Sequence, residues 1–222
     1  NDPGGLRIVV SRVARWQELL ERAKGRSLSQ AKMIGLIGEL SFMKEFILGH
    51  LSASDAIQSW RGPLGDEQDF LVPGGILEVK TQMSSSDQSL RISSENQLDT
   101  VSGPILVVHQ TVHVPSKEET GGLSLNGLVD EMSGLIEEQD IAALYEFCEK
   151  LYEYGYVKRE EYDEPLWLLT GRSFFEVTED FPRITPSALA QGVERVRYRI
   201  MLQACRDFEI DSIDAEKWAF DG

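Results

Sequence analysis

Twelve consecutive residues, Asp69 to Lys80 (Asp-Phe-Leu-Val-Pro-Gly-Gly-Ile-Leu-Glu-Val-Lys), constrain this chain more than any other segment. Apolar residues flank a Pro-Gly-Gly turn, Phe70 to Val72 before it and Ile76, Leu77 and Val79 after it. The segment therefore reads as strand, tight turn, strand. Residues two apart on a strand share a face, which points Glu78 and Lys80 together and Leu77 and Val79 oppositely. A loop with an even number of residues pairs Val72 with Gly75 and sets Asp69 opposite Glu78. A three-residue Pro-Gly-Gly loop sets Asp69 opposite Val79, on the wrong face, and the segment is then an ordinary surface hairpin. In the even register two carboxylates stand roughly 5 Å apart, which destabilises a sheet unless something positive lies between them. Lys80 supplies one such charge, and an oxygen-ligated Mg2+ held by one or two carboxylates satisfies the arrangement better.

Glu39 is the second informative acid. A helix from about Ser29 to Leu48 gives it Gly35, Leu36, Phe42 and Met43 as neighbours at i−4, i−3, i+3 and i+4, so it lies on an apolar face. A carboxylate there must be hydrogen-bonded, paired with an arginine or bound to metal, because burying it alone is costly. Gly35 and Gly38 would let another backbone or a ligand approach closely.

Composition narrows the partners. The chain has 222 residues and a net charge of −15, which argues against coating nucleic acid through bulk charge. The acidity is uneven, with 8 basic against 6 acidic residues over 1–60, 3 against 7 over 61–115, and 11 against 24 over 116–222. A local basic surface is thus compatible with the total. No apolar run reaches the roughly 18 residues of a membrane span. Cys148 and Cys205 form no metal-type spacing and no disulfide framework, which suits a reducing cytoplasm. The chain opens on Asn1, which leaves its natural start and any removed leader open.

Along the chain, a short apolar stretch at 6–10, a helix at 11–25 and a short helix at 52–59 precede and follow the features above. Leu90 to Ser93 reads as a strand, and Ser94-Glu95-Asn96-Gln97 matches a capping box opening a short helix. Ile105 to Val114 is a long apolar strand, and 115–122 a linker. Helical patterns follow at 125–138 and 141–154, the second stopped by Gly155. Leu166 to Leu169 and Phe174 to Val177 read as a hairpin around Thr-Gly-Arg-Ser, and the helix pair with this hairpin would permit a winged-helix-like DNA reader. Arg195-Val196-Arg197-Tyr198-Arg199-Ile200 alternates strictly, placing three arginines on one strand face, for phosphates or for nearby acids. His109 and His113 lie roughly 13 Å apart at strand rise, too far to chelate one ion, and read as structural. No serine-nucleophile elbow, phosphate-binding glycine loop or zinc pattern occurs.

The helix acid in Gly38-Glu39-Leu40, Asp69-Phe70, Glu78-Val79-Lys80 and the following Ser94-x-x-Gln97-Leu98 together resemble the PD-(D/E)XK nuclease superfamily. The resemblance is to an uncharacterised bacterial branch found beside defence and restriction genes. It extends through Trp60-Arg61-Gly62-Pro63, Gly155-Tyr156 and Phe181-Pro182-Arg183-Ile184. Two features depart from the pattern: Gln68 stands in place of the Pro, and the interval from Asp69 to Glu78 is short.

The resemblance implies an α/β, restriction-endonuclease-like core, a mixed sheet flanked by helices, over residues 1–116, with an acidic α+β extension over 117–222 packed on it or reading the target. It also implies Mg2+-dependent hydrolysis of DNA phosphodiesters, with Mn2+ able to substitute. Asp69 and Glu78 would ligate the metal, and Glu39 would complete the shell directly or through water. Lys80 would orient or deprotonate the attacking water or contact the scissile phosphate. Gln97 would contact water or substrate, or serve only as a cap. Arg195, Arg197 and Arg199 are the candidate DNA contacts. A cytoplasmic endonuclease of restriction or phage defence follows, as a homodimer or with partner subunits, since a double-strand cut needs two sites. The alternative is a catalytically silent nuclease-like module that binds DNA or a partner protein.

Overall fold

The computed structural model describes residues 27–221, so the apolar stretch at 6–10 and the helix expected at 11–25 lie outside the described residues. Ser29 caps helix α1, Gln30–Phe42, its hydroxyl accepting from the Lys32 amide, and the helix continues through a wider π turn at Met43–Ile47. Ser52 caps α2, Ala53–Ser59, in the same way. Strands β1, Phe70–Val72, and β2, Gly75–Met83, then pair antiparallel with Val72 opposite Gly75, Leu71 opposite Ile76 and Phe70 opposite Leu77. The register is the even one, around a turn of Pro73 and Gly74.

The remaining elements are β3, Ser89–Ile92, β4, Ile105–His113, α3, Leu125–Gln139, α4, Ile141–Tyr154, β5, Leu168–Glu176, β6, Tyr198–Met201, α5, Leu202–Cys205, β7, Glu209–Ile210, and α6, Ser212–Phe220. The strands form a mixed five-stranded sheet in the order β1-β2-β4-β5-β7 and a separate two-stranded ribbon of β3 with β6. Only β2 and β4 run parallel in the large sheet. Helices cover it, making the chain an α/β fold of restriction-endonuclease-like type.

Strand alternation divides the core into two. Leu77, Val79, Leu106, Val108 and Phe174 pack on one face with Leu36, Leu40 and Phe42 of α1, Met132 of α3 and Phe147 of α4. Ile76, Ile105, Val107 and Phe175 pack on the other with Leu90, Ile92 and Ile200 of the ribbon. Burying such side chains contributes about 1.5–3 kcal/mol each before chain entropy is subtracted. The boundary expected near residue 116 falls between β4 and α3. On either side of it the chain shares one sheet and one core.

Three local expectations are corrected. The hairpin at 166–177 is a single strand, β5, paired antiparallel with β4 from Leu106 to His113, and Thr-Gly-Arg-Ser passes through it with a register shift at Thr111/Val112. Without a hairpin there is no winged-helix arrangement, and α3 packs on α1 as a layer of the fold. The segment after Ser94 makes turns over 95–98 rather than a helix, because the Ser94 hydroxyl donates to Glu67 and the Gln97 amide is engaged elsewhere. The arginine stretch is a strand only from Tyr198, and Arg195 takes a left-handed conformation with φ 60°.

Candidate metal-dependent active site

Three acids approach the edge of β2 from three directions, each brought there by a different element. Asp69 lies just before β1, and its Oδ2 accepts a 2.7 Å hydrogen bond from the Val79 amide. The carboxylate thus turns to the strand edge just where β1 has ended. Its backbone carbonyl accepts from the Arg61 and Gly62 amides at 2.7 and 3.2 Å, which anchors the 60–62 loop against it.

Glu78 stands one residue away on β2, only 1% exposed. Its Oε1 accepts from Gln97 Nε2 at 2.7 Å and pairs with Lys80 Nζ at 2.5 Å. Its Oε2 is buried with no hydrogen-bond partner among the protein atoms. Native structures rarely leave such an oxygen unsatisfied, and a cation is one of the groups that satisfies it. Gln97 is itself fixed at both ends, its Oε1 accepting from the Ser93 amide at 2.9 Å and its Nε2 also reaching the Glu67 carbonyl at 3.2 Å.

Glu39 enters from α1. Gly38 makes this possible: a Cβ there would sit 1.7 Å from Thr81 Oγ1, so only glycine lets α1 lie this close to β2. The buried Gln110 side chain donates to the Gly38 carbonyl at 3.0 Å and so sets the helix on the sheet. The Glu39 carboxylate accepts from Trp60 Nε1 at 2.7 Å and from the Tyr154 hydroxyl at 3.4 Å. Trp60 is in turn held by buried Lys150, which caps the end of α2 through the carbonyls of Ile57 and Trp60. Gly62 closes the arrangement, because a Cβ on it would lie 3.2 Å from Asp69 Oδ1 and 3.2 Å from Glu39 Oε2. Those two carboxylates therefore flank one small open point.

The electrostatics follow from crowding. Burial, then the Asp69 charge, push Glu78 up to about 8. Burial, then Asp69, hold Glu39 well above the usual carboxylate range, and burial raises Asp69 against the opposing pull of Lys80. For Lys80 burial favours the neutral amine, but Glu78, Asp69 and Glu39 together outweigh it and keep the ammonium. The acids face a cleft of about 720 Å3 lined also by Thr81, Ser86, Arg91, Ser93 and Arg199.

A family model described as "Putative PD-(D/E)XK family member, (DUF4420)" matches residues 1–203. The chain belongs to this family. No curated protein and no solved structure matches it. All five residues expected from the sequence, Glu39, Asp69, Glu78, Lys80 and Gln97, line one cleft. Among the described residues, no group of three or more His, Cys, Asp and Glu side chains is placed to hold one ion. Asp69 and Glu78 are the two acids that could hold a metal directly, and Glu39 could reach it through water. That set fits Mg2+, which keeps several waters and takes one or two carboxylates.

Other candidates fall away or move. His109 is buried with Nε2 unpartnered and its pKa lowered by burial, whereas His113 bonds Glu119 at 2.9 Å, so the two serve separate places. Of the three arginines only Arg199 lines the cleft, and it pairs with Asp87 rather than with an acid of residues 137–164. Sequence reading missed the roles of Trp60, Gly62 and Tyr154. Trp60-Arg61-Gly62 was visible within the family resemblance, but its contact with Glu39 spans 21 residues and left no local signal.

Proposed function

We propose that this chain is a Mg2+-dependent DNA endonuclease acting through Asp69, Glu78 and Lys80, with Glu39 and Gln97 as positioning residues. The observation that carries the reading is the orphaned, buried Glu78 Oε2 beside Asp69 and next to a lysine that stays charged. A bound Mg2+ would neutralise charge on a phosphoryl oxygen and acidify a water.

The protein's own groups supply the rest. Lys80 enters as an ammonium, so in the resting site it orients a water or a phosphate oxygen and does not take a proton from it. Gln97 fixes the Glu78 rotamer, as outer hydrogen bonds fix metal-binding carboxylates generally. Glu39, held by Trp60 and Tyr154, offers an acceptor on the far side of Asp69. Membership of a PD-(D/E)XK family supports hydrolysis of a phosphodiester, and the resemblance to a branch beside restriction genes supports defence against foreign DNA. No helix among the described residues is long and apolar enough to cross a membrane.

The test is plasmid nicking with Mg2+ or Mn2+. Glu78→Ala and Lys80→Ala should each abolish it while the proteins stay folded, and unchanged nicking by both sinks the assignment. One observation favours the second reading, a silent binding module: the lack of a three-acid cage among the described residues. Calorimetric titration with Mn2+ separates the two, because a silent module shows no binding that depends on Asp69 and Glu78.

A further inference from the structure

The cleft has a second wall with a chemistry of its own. On the β3–β6 ribbon, Arg91 stands directly opposite Arg199 in the antiparallel register. Cβ atoms of such pairs lie roughly 5 Å apart, and like charges there destabilise a ribbon. Alternation explains why both point the same way: Leu90, Ile92 and Ile200 turn into the second core, while Arg91 and Arg199 turn out and line the cleft that holds Glu39, Asp69, Glu78 and Lys80. Ser89 and Ser93, two residues to either side of Arg91, line the same cleft, as do Ser85 and Ser86 of the β2–β3 loop.

Neither arginine is tied down. Arg199 makes one exposed ion pair with Asp87 at 3.0 Å, and Asp87 is itself 82% exposed. Such a pair contributes little and is readily exchanged for a better anion. Arg91 is exposed and belongs to no salt bridge of the described residues. In a chain of net charge −15, two facing guanidinium groups ringed by serine hydroxyls mark a place where anionic charge is expected to arrive from outside.

We propose that the Arg91–Arg199 pair is the anchor for the DNA backbone, binding phosphates that flank the one at Glu78 and Lys80. Guanidinium forks bind phosphate bidentately, and serine hydroxyls commonly complete such contacts. An anion between them removes the repulsion that the empty ribbon carries. Backbone phosphates carry no sequence information, so the anchor holds DNA of any sequence and sets its direction along the cleft. Arg195 and Arg197 take no part, since neither lines the cleft. The inference rests on the nuclease reading for its substrate, but it concerns binding and stands apart from cleavage.

The experiment is fluorescence anisotropy of a labelled DNA duplex in EDTA, over a series of salt concentrations, with the intact chain. Arg91→Gln/Arg199→Gln should weaken binding by about tenfold or more at low salt, equally for unrelated sequences. It should also lower the slope of log K against log salt by about 1.8, the value for two lost phosphate contacts. Arg195→Gln/Arg197→Gln should leave both quantities near wild type. Circular dichroism melts establish that each variant is folded. Unchanged affinity and slope in the Arg91/Arg199 variant overturn the proposal, as does a wild-type protein that binds no duplex or that prefers RNA. Loss of binding in that variant, from a wild-type protein that never nicks a plasmid, upholds the anchor and sinks only the nuclease reading.

Discussion

Trp60 Nε1 donates to Glu39 Oε2 over 2.7 Å, tying the residue that follows α2 to the acid in the middle of α1. Trp60→Phe keeps a buried ring and removes the donor, leaving Glu39 with its weak Tyr154 contact. A stability loss of about 1–3 kcal/mol is expected from the unsatisfied oxygen. Nicking should fall by about 10- to 100-fold, as for lost outer-shell contacts elsewhere. Urea melts and plasmid assays on one preparation check both; full activity would show that Glu39 needs no positioning.

Gly62→Ala tests the open point between Asp69 and Glu39. The new methyl would lie 3.2 Å from an oxygen of each, closer than such atoms ordinarily pack, so both must shift by a few tenths of an ångström. Mn2+ affinity should drop about tenfold or more, measured by calorimetry, with thermal stability in EDTA little changed. Equal affinity would place the metal elsewhere.

Gly38→Ala tests the seating of α1. Its Cβ would meet Thr81 Oγ1 at 1.7 Å and Thr81 Cβ at 2.6 Å, an overlap relieved only by moving the helix off the sheet. A cost at or above the usual 1–3 kcal/mol for overpacking is expected in denaturant melts, together with loss of nicking. A variant as stable as wild type contradicts this packing.

The metal-free protein should lose stability as pH rises. Glu78 titrates near 4.5 in an unfolded chain and about 8 when buried beside Asp69, so between those values the folded state holds more protons. The Glu78 contribution then falls across that window by at most about 1.4 kcal/mol per pH unit and levels above it. Glu39 and Asp69, also raised, act in the same sense. Thermal melts in EDTA between pH 5 and 8.5 should show the decline, and Glu78→Gln should flatten it. Added Mn2+ takes the place of protons, so its stabilisation should grow with pH; a wild-type profile no steeper than that of Glu78→Gln refutes the shift.

Much of this was legible in sequence because it is local. Alternation gave the faces of β2, Ser29 and Gly155 the helix ends, and an apolar helical face the burial of Glu39, while the register across Pro73-Gly74-Gly75, open in sequence between two and three residues, is decided by the pairing of Val72 with Gly75. What local reading could not supply was partnership across distance. Thr-Gly-Arg-Ser has turn chemistry, yet β4 offers a continuous partner and tertiary pairing wins. Ser94-x-x-Gln97 has capping chemistry, yet Glu67 and Glu78 compete for the same side chains. Arg195 to Arg199 alternates, yet only the part opposite β3 is a strand, which is why Arg91, ignored in isolation, is the residue that faces Arg199.

The central position of β4 has a consequence for how the two halves of the chain depend on each other. One flank of Ile105–His113 is paired by β2 and the other by β5, which arrives more than fifty residues later. Until β5 docks, a strand with five apolar residues among its nine presents a bare edge, the kind that recruits other chains. The second half of the chain thus closes an edge that the first half leaves open, so the long strand at the middle of the sheet is sealed only when both halves are in place.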